Sequence, residues 1–194
     1  MADIWRGDEQ ITPNQNYGVI INIDLKTGAS KLISRGHRNP QELCVNARGT
    51  IIETEQGPEG GDELNVIKNG GHYGWPNTSY GYPYADFPFS PTGRNFGAHT
   101  GSYINPIFAW IPSIAASSLI CPSNQAPSKW KNYYFMVTLR DESLHVIKIE
   151  KNSVLFDERI YLGQRIRDLD WVGLGVLAIL TDSGEFIQIR FLER

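Results

Sequence analysis

The chain has 194 residues, with 18 Lys and Arg against 21 Asp and Glu, a net charge of -3, and 41% hydrophobic and 11% aromatic content. These values describe one globular unit and exclude a disordered, collagenous or coiled-coil chain. They also leave no clustered basic surface for a nucleic-acid backbone or an anionic membrane, although a few placed arginines could hold a small anion. Gly 19 and Pro 11 in so aromatic a chain favour many turns between short strands, an all-β reading.

Met1 to Gly18 is polar and charged and holds no signal-peptide hydrophobic core, and no apolar stretch is long enough to span a bilayer. Apolar runs bounded by Gly, Asn, Asp or Pro recur along the chain, in place of the i, i+3, i+4 spacing of a helix. The first predicted strand is Gly18 to Leu25. Arg35-Gly36-His37-Arg38-Asn39-Pro40-Gln41 then presents four donors at the entrance of a strand over Glu42 to Val45. Pro40 keeps Asn39 out of helical geometry and so fixes the direction of neighbouring side chains. As an isolated feature, a solvated polar turn also explains this cluster.

Strands predicted over Thr50 to Thr54 and Glu63 to Ile67 flank Glu53-Thr54-Glu55-Gln56-Gly57-Pro58-Glu59-Gly60-Gly61-Asp62-Glu63. Carboxylates alternate there with glycines that free backbone carbonyls, and a hard cation such as calcium wants such oxygen ligands. The spacing is neither an EF-hand nor a phosphate loop, and a flexible acidic turn is the alternative. Gly70 to Ser113 reads as a long, packed Gly, Pro and Tyr-rich loop. Further strands are predicted at Tyr133 to Leu139, Leu144 to Ile149, Val154 to Leu162, Ile166 to Trp171, Val176 to Thr181 and Phe186 to Phe191.

Arg140, Arg165 and Arg167 stand at strand ends. Arg165 and Arg167, two apart, leave the same face, where adjacent like charges call for an anion or for acceptors. The arginine fork suits a carboxylate; a purely structural surface would use Asp168, Asp170 or Asp141 instead. Cys44 and Cys121 form no CxxC pair, so they make neither a zinc site nor a multi-disulfide framework, and one disulfide is left open. His37, His72, His99 and His145 show no metal-ligand spacing, and no G-x-S-x-G is present.

A degenerate repeat runs through the chain. Glu42 to Glu55 matches Asp168 to Asp182 with one residue inserted, and a third copy ends at Phe135-Met136-Val137-Thr138. The spacing resembles the roughly 40 to 45 residues of a four-stranded propeller blade, with one blade enlarged. The reading is a single partial β-propeller domain of about three blades over 1–194. Residues 1–35 give outer strands of one blade, 36–112 a blade plus the long loop, 113–163 a blade and 164–194 the last. Rings typically need about four to eight blades, so blade faces and strand edges are expected to be open to self-association or to a missing N-terminal half.

Gly36-His37-Arg38-Asn39-Pro40-Gln41, Glu55-Gln56-Gly57-Pro58, Gly61-Asp62-Glu63-Leu64-Asn65, Tyr73-Gly74-Trp75-Pro76, Pro112-Ser113-Ile114-Ala115, Thr138-Leu139-Arg140 and Arg165-Ile166-Arg167-Asp168 occur in that order. Together, from about Gly18 onward, they resemble the C-terminal half of the glucose/sorbosone dehydrogenase family, which includes soluble quinoprotein glucose and aldose sugar dehydrogenases. The resemblance implies a six-bladed β-propeller binding pyrroloquinoline quinone (PQQ) and calcium at the mouth of its channel, with an aldose substrate oxidised at the anomeric carbon. It implies that Arg38, Asn39 and Gln41 face cofactor and sugar. It implies that the carbonyls of Gly57 and Pro58 hold a calcium, that Asp62, Glu63 and Tyr73 match a second calcium site, and that Ser113, Arg140, Arg165 and Arg167 hold the quinone carboxylates.

The chain departs from the family at Glu42, where Gly is usual, at His72, where Asn is usual, and at Ala116, where Pro is usual. Phe108 stands where some members have Tyr. The family's proton-abstracting histidine comes from an earlier blade, and none of the four histidines here occupies that position. The alternative is therefore a non-catalytic propeller fragment binding calcium, sugar or a protein partner. Family members are usually exported, which leaves localisation undetermined by this sequence.

Overall fold

In the computed structural model, which describes residues 17–82, 95–96, 99 and 101–192, the apolar runs form strands as expected. In chain order these are β1 (Val19–Ile23), β2 (Ser30–Arg35), β3 (Pro40–Val45), β4 (Ile51–Glu55), β5 (Asp62–Val66), β6 (Gly71–His72), β7 (Thr78–Ser79) and β8 (Asn95–Phe96). They continue as β9 (Phe108–Trp110), β10 (Ala116–Ile120), β11 (Tyr134–Thr138), β12 (Ser143–Glu150), β13 (Ser153–Tyr161), β14 (Ile166–Gly173), β15 (Val176–Thr181) and β16 (Phe186–Arg190). A single turn of 3-10 helix, Ser128–Trp130, is the helical content of the described residues. No helix among them is long and apolar enough to cross a membrane. The expected outer-strand segment 1–35 and the expected loop Gly70 to Ser113 lie partly outside the described residues.

Two four-stranded antiparallel sheets, β3-β4-β5-β9 and β10-β11-β12-β13, are followed by a three-stranded sheet, β14-β15-β16. A further sheet, β1-β2-β6, precedes them, and β7 pairs with β8. Successive sheets pack face to face, as propeller blades do. Ile52, Leu64 and Trp110 of one sheet meet Leu119, Met136 and Ile147 of the next. Phe135, Val137 and Leu144 on the other side meet Leu169, Trp171, Leu177 and Ile179. Every residue of β11 is buried because that strand has a sheet on each side. Each large aliphatic side chain so covered contributes roughly 1.5 to 3 kcal/mol.

β10 was not legible as a strand in Ala-Ser-Ser-Leu-Ile, and its place in the fold explains why. It lies between β3 and β14, where small side chains allow close approach and neighbouring strands satisfy the hydroxyls. Ser117 Oγ donates to the carbonyls of Val137 and Ile166, and Ser118 Oγ donates to Asp168 Oδ1 at 2.9 Å. The repeat also has a physical basis. Thr138 and Thr181 close the turn after the second strand of their sheets by accepting the N–H of Ser143 and Glu185. Thr54 holds the same position with its hydroxyl unpartnered.

Cys44 of β3 and Cys121, just after β10, form a disulfide with Cα atoms 5.5 Å apart, which settles the pairing the spacing left open. At the two ends of the row, large apolar side chains stay in solvent. These include Ile21, Ile23 and Leu32 in the first sheet and Val172, Leu180 and Phe186 in the last.

In the third sheet, His145 lies between Asp157, at 2.8 Å from Nδ1, and Asp141, at 3.2 Å from Nε2. Arg159 Nε donates to Asp141 at 2.6 Å. Burial pushes the Asp141 carboxyl up, but Arg159, Ser143 and His145 together hold it below its ordinary value. A depressed carboxyl stabilises the fold above its unfolded pKa, and this contribution is lost as pH falls through the folded value. Asp141→Asn is therefore expected to flatten the acid limb of a melting-temperature profile below about pH 4. An unchanged slope between wild type and variant would refute this assignment.

Candidate functional site

β3, β10 and β14 are the first strands of three successive sheets, and β10 packs beside the other two. Each runs antiparallel to the second strand of its sheet, in registers that pair Pro40 with Glu55, Ala116 with Thr138 and Ile166 with Thr181. The entrances of the first strands and the exits of the second therefore share one end of each sheet. Gln56 Nε2 donating to Ala116 O at 2.8 Å, and Ser117 bridging to Ile166, bring those ends together as one rim. The rim collects Arg38, Asn39 and Gln41, the Gln56-Gly57-Pro58 turn, Ser113, Arg140, Arg165 and Arg167, residues spread over 130 positions of sequence.

Arg38 is fixed by its own turn. Its backbone N–H donates to Glu55 Oε2 at 2.7 Å, and Nη1 donates to the carbonyls of Gln56 and Gly57 at 2.8 and 2.9 Å. The guanidinium lies 5.6 Å from the Trp75 ring centre, a cation–π geometry. Gln41 Nε2 donates to Asn39 Oδ1 at 2.9 Å, so the two amides are oriented as a pair. At Gly57, a Cβ would collide with the carbonyl oxygens of Gly60 and Gly61, so only glycine lets this turn fold back on itself.

Asp62 is the tie between two turns. Its buried carboxylate accepts Gly57 N–H at 3.0 Å, Ser113 Oγ–H at 2.8 Å, Ile114 N–H at 2.9 Å and Ala115 N–H at 2.6 Å. Burial raises its pKa, against the pull of those donors. The Ser113 hydroxyl is thereby turned toward Asp62 rather than toward a ligand. Tyr73 is likewise engaged: its hydroxyl donates to Val66 O at 2.6 Å and accepts Lys68 N–H at 2.9 Å, and its ring stacks on His37 at 4.5 Å. Burial pushes its phenol up to about 12, leaving the backbone carbonyl as the group it could offer a cation.

Behind the rim lie Glu53, Glu55 and Glu63, all buried. Asn65 Nδ2 reaches all three, at 3.0, 3.4 and 3.3 Å, and His99 Nε2 lies 2.9 Å from Glu63 Oε1. Burial raises all three carboxyls, Glu63 to about 7, and a neighbouring carboxylate raises each further: Glu55 and Glu63 act on Glu53, Glu63 on Glu55 and Asp62 on Glu63. Burial holds His99 down, to about 4, so a neutral imidazole faces Glu63. A cavity of about 10 Å³ lies among Arg38, Glu55, Gly57, Gly61, Glu63 and His99, room for about one water-sized occupant.

Arg165 Nε and Arg167 Nε both donate to Asp182, at 2.9 and 2.6 Å, while both side chains stay half exposed. None of the aspartates considered from the sequence is this partner. Asp182 is found through strand register: Ile166 opposite Thr181 sets Arg165 beside Asp182, whose N–H donates to Arg165 O. Arg140 is exposed on the same rim. Sequence reasoning also missed Asn65 and His99, whose significance lies entirely in what the fold brings to them. Of the four departures, Glu42 lies 3.4 Å from Ser118 Oγ, Phe108 packs edge-on to Trp110, His72 Nδ1 accepts Gly74 N–H, and Ala116 is fully buried.

The family model described as Glucose / Sorbosone dehydrogenase matches residues 12–188. The aldose sugar dehydrogenase YliI of Escherichia coli (strain K12) is 33% identical over 165 residues, covering 82% of this chain and 44% of that protein. Quinoprotein glucose dehydrogenase B of Acinetobacter calcoaceticus is 44% identical over 63 residues, 30% of this chain and 13% of that protein. A crystal structure of a glucose dehydrogenase superposes with a TM-score of 0.78 at 28% identity, over 92% of this chain and 55% of that one. The chain thus spans about half the length of relatives that it matches along most of its own length. With the stacked sheets, the ordered motifs and this match in agreement, the chain belongs to the glucose/sorbosone dehydrogenase family.

Proposed function

We propose that this chain forms the cofactor-holding half of a PQQ- and calcium-dependent dehydrogenase that oxidises aldoses at the anomeric carbon to lactones. The observation that carries this reading is the rim, where strand order gathers four arginines beside an oxygen-rich glycine turn. The residues fit the groups they would hold. Arg140, Arg165 and Arg167 supply planar forks for the carboxylates of a quinone, while Arg38, Asn39 and Gln41 face cofactor and sugar, the two amides as an oriented pair. The carbonyls of Gly57 and Pro58 are hard oxygen donors for one calcium. Glu63 and the Tyr73 carbonyl are donors for a second, with Asp62 and Ser113 holding the turns between which the ions would sit.

When bound, the quinone supplies a hydride acceptor for the sugar C1 and calcium polarises its carbonyl. The chain's own residues then position and neutralise. Asp182 holds Arg165 and Arg167 in one orientation through their Nε atoms, so the guanidinium ends are preorganised for an incoming carboxylate. Arg38, braced by two carbonyls and Trp75, cannot swing away from the calcium turn. His37, His99 and His145 are buried, and the ring nitrogen of His72 nearest the backbone accepts Gly74 N–H. In this reading the base that takes the sugar hydroxyl proton is supplied by other blades of a ring, which would also cover the apolar residues exposed on the first and last sheets.

Calorimetric titration of the chain with PQQ tests this reading. Binding should require calcium, and Arg165→Ala with Arg167→Ala should weaken it at least about tenfold, a loss of two charge-assisted contacts. A folded chain that binds no PQQ at any calcium concentration overturns it.

A further inference from the structure

The buried wall behind the rim holds a group of atoms that the cofactor reading does not use. His37 Nδ1, a Glu53 carboxylate oxygen and a Glu55 carboxylate oxygen all lie within 4.8 Å of one another, with His37 Nδ1 3.9 Å from Oε2 of each glutamate. These separations are too long for direct hydrogen bonds. His37 and Glu53 are fully buried and Glu55 is 4% exposed. His37 Nδ1 and Glu53 Oε1 have no hydrogen-bond partner, an arrangement that native interiors rarely tolerate. A point equidistant from the three facing atoms lies roughly 2.1 to 2.5 Å from each, which is the length of a metal–ligand bond.

We propose that His37, Glu53 and Glu55 form a binding site for a divalent transition cation, distinct from the calcium positions on the rim. Charge and donor type both support this assignment. Two carboxylates and one neutral imidazole balance a dication, whereas without one the three groups face each other across a gap with no opposite charge among them. A nitrogen ligand with two oxygens suits zinc or its first-row neighbours, while calcium takes oxygen. The other ring nitrogen, Nε2, lies 2.8 Å from Ser34 Oγ. In the proposed site Nε2 would donate to that hydroxyl, which leaves the Nδ1 lone pair facing the carboxylates, as metal-binding histidines are usually oriented. Asn65 steadies Glu53 and Glu55 through its amide N–H groups, and the Tyr73 ring covers one face of the imidazole. Ligand, outer hydrogen bond and apolar cover are thus all in place.

Cobalt(II) is the probe, because its visible spectrum reports nitrogen ligation. Chelator-treated chain, kept in excess calcium to fill the rim positions, is expected to bind one cobalt per chain and to release it to zinc. Glu53→Gln, which preserves volume and can still meet Asn65, should weaken cobalt binding at least about 100-fold, more than loss of an outer-shell partner costs. His37→Gln should shift or abolish the visible bands, and Glu63→Gln should leave them unchanged. If His37→Gln fails to fold, Glu53→Gln, monitored for folding by near-ultraviolet circular dichroism, decides the matter. No cobalt bound by folded wild type overturns the proposal. So does cobalt that calcium displaces, or that is lost with Glu63→Gln but not with Glu53→Gln.

Discussion

Asp62→Ala is expected to cost about 4 kcal/mol of stability, because it strips buried donors of their shared acceptor, and to lower the melting temperature by roughly 8 to 16 °C in a chain of this size. Four donors converge on that carboxylate from two turns: Gly57 N–H from one, and Ser113 Oγ–H, Ile114 N–H and Ala115 N–H from the other. Alanine leaves the Gly57 and Ile114 N–H groups buried without an acceptor, each at about 1 to 3 kcal/mol before relaxation, and leaves Ala115 N–H with only the Ser113 hydroxyl, at 3.2 Å. Asp62→Asn should recover about half of the loss, since its amide keeps one acceptor oxygen but sets an N–H₂ against the remaining donors. The same substitution releases the glycine turn from the 113–115 turn, so PQQ affinity should fall with stability. Thermal melts of the two variants, with PQQ titrations below the transition, check both consequences. A melting temperature within about 2 °C of wild type for Asp62→Ala, less than 1 kcal/mol for this chain length, would show that the carboxylate is not the tie described.

Removing the Cys44–Cys121 disulfide should have an effect of similar size by a different route. The bond closes 77 residues of chain, and the chain-entropy estimate for a loop of that length is about 4.5 kcal/mol, acting through the unfolded state. It also joins the first strand region of one sheet to that of the next, across the apolar interface of Ile52, Leu64, Leu119 and Met136. Replacing both cysteines by alanine, so that no free thiol remains, should lower the urea midpoint while the native near-ultraviolet spectrum persists. A reductant should reproduce the loss in wild type and do nothing to the double variant. Equal midpoints for the two proteins would mean that the sheets hold together without the staple.

The sequence made the strands legible because most of them sit in simple environments. Val176–Thr181 and Tyr134–Thr138 are apolar runs bounded by turn residues, and they become inner strands of their sheets, paired on both edges. β2 and β10 were hidden because Ser30–Arg35 is half polar at the start of the row, and because Ala116–Ile120 relies on serines that only neighbouring strands satisfy. The repeat was readable through its threonines, since one turn geometry recurs after the second strand of a sheet.

For the site, the residue types were determined locally. The glycines and carbonyls of Gln56 to Gly61 and the placing of Arg165 and Arg167 two apart follow from sequence order and the alternation of a strand. Which groups those residues meet was decided by tertiary structure. Asp182 reaches the two arginines because of strand register, Asp62 is filled by donors from a turn about fifty residues away, and His37 is brought to Glu53 and Glu55 only when β3 folds against β4. A contact between side chains far apart in sequence depends on register and packing, which no local pattern encodes. The sequence by itself thus determined the strands, the repeat and the chemical character of the rim, and the stacking of the sheets decided which charges face a ligand and which face each other.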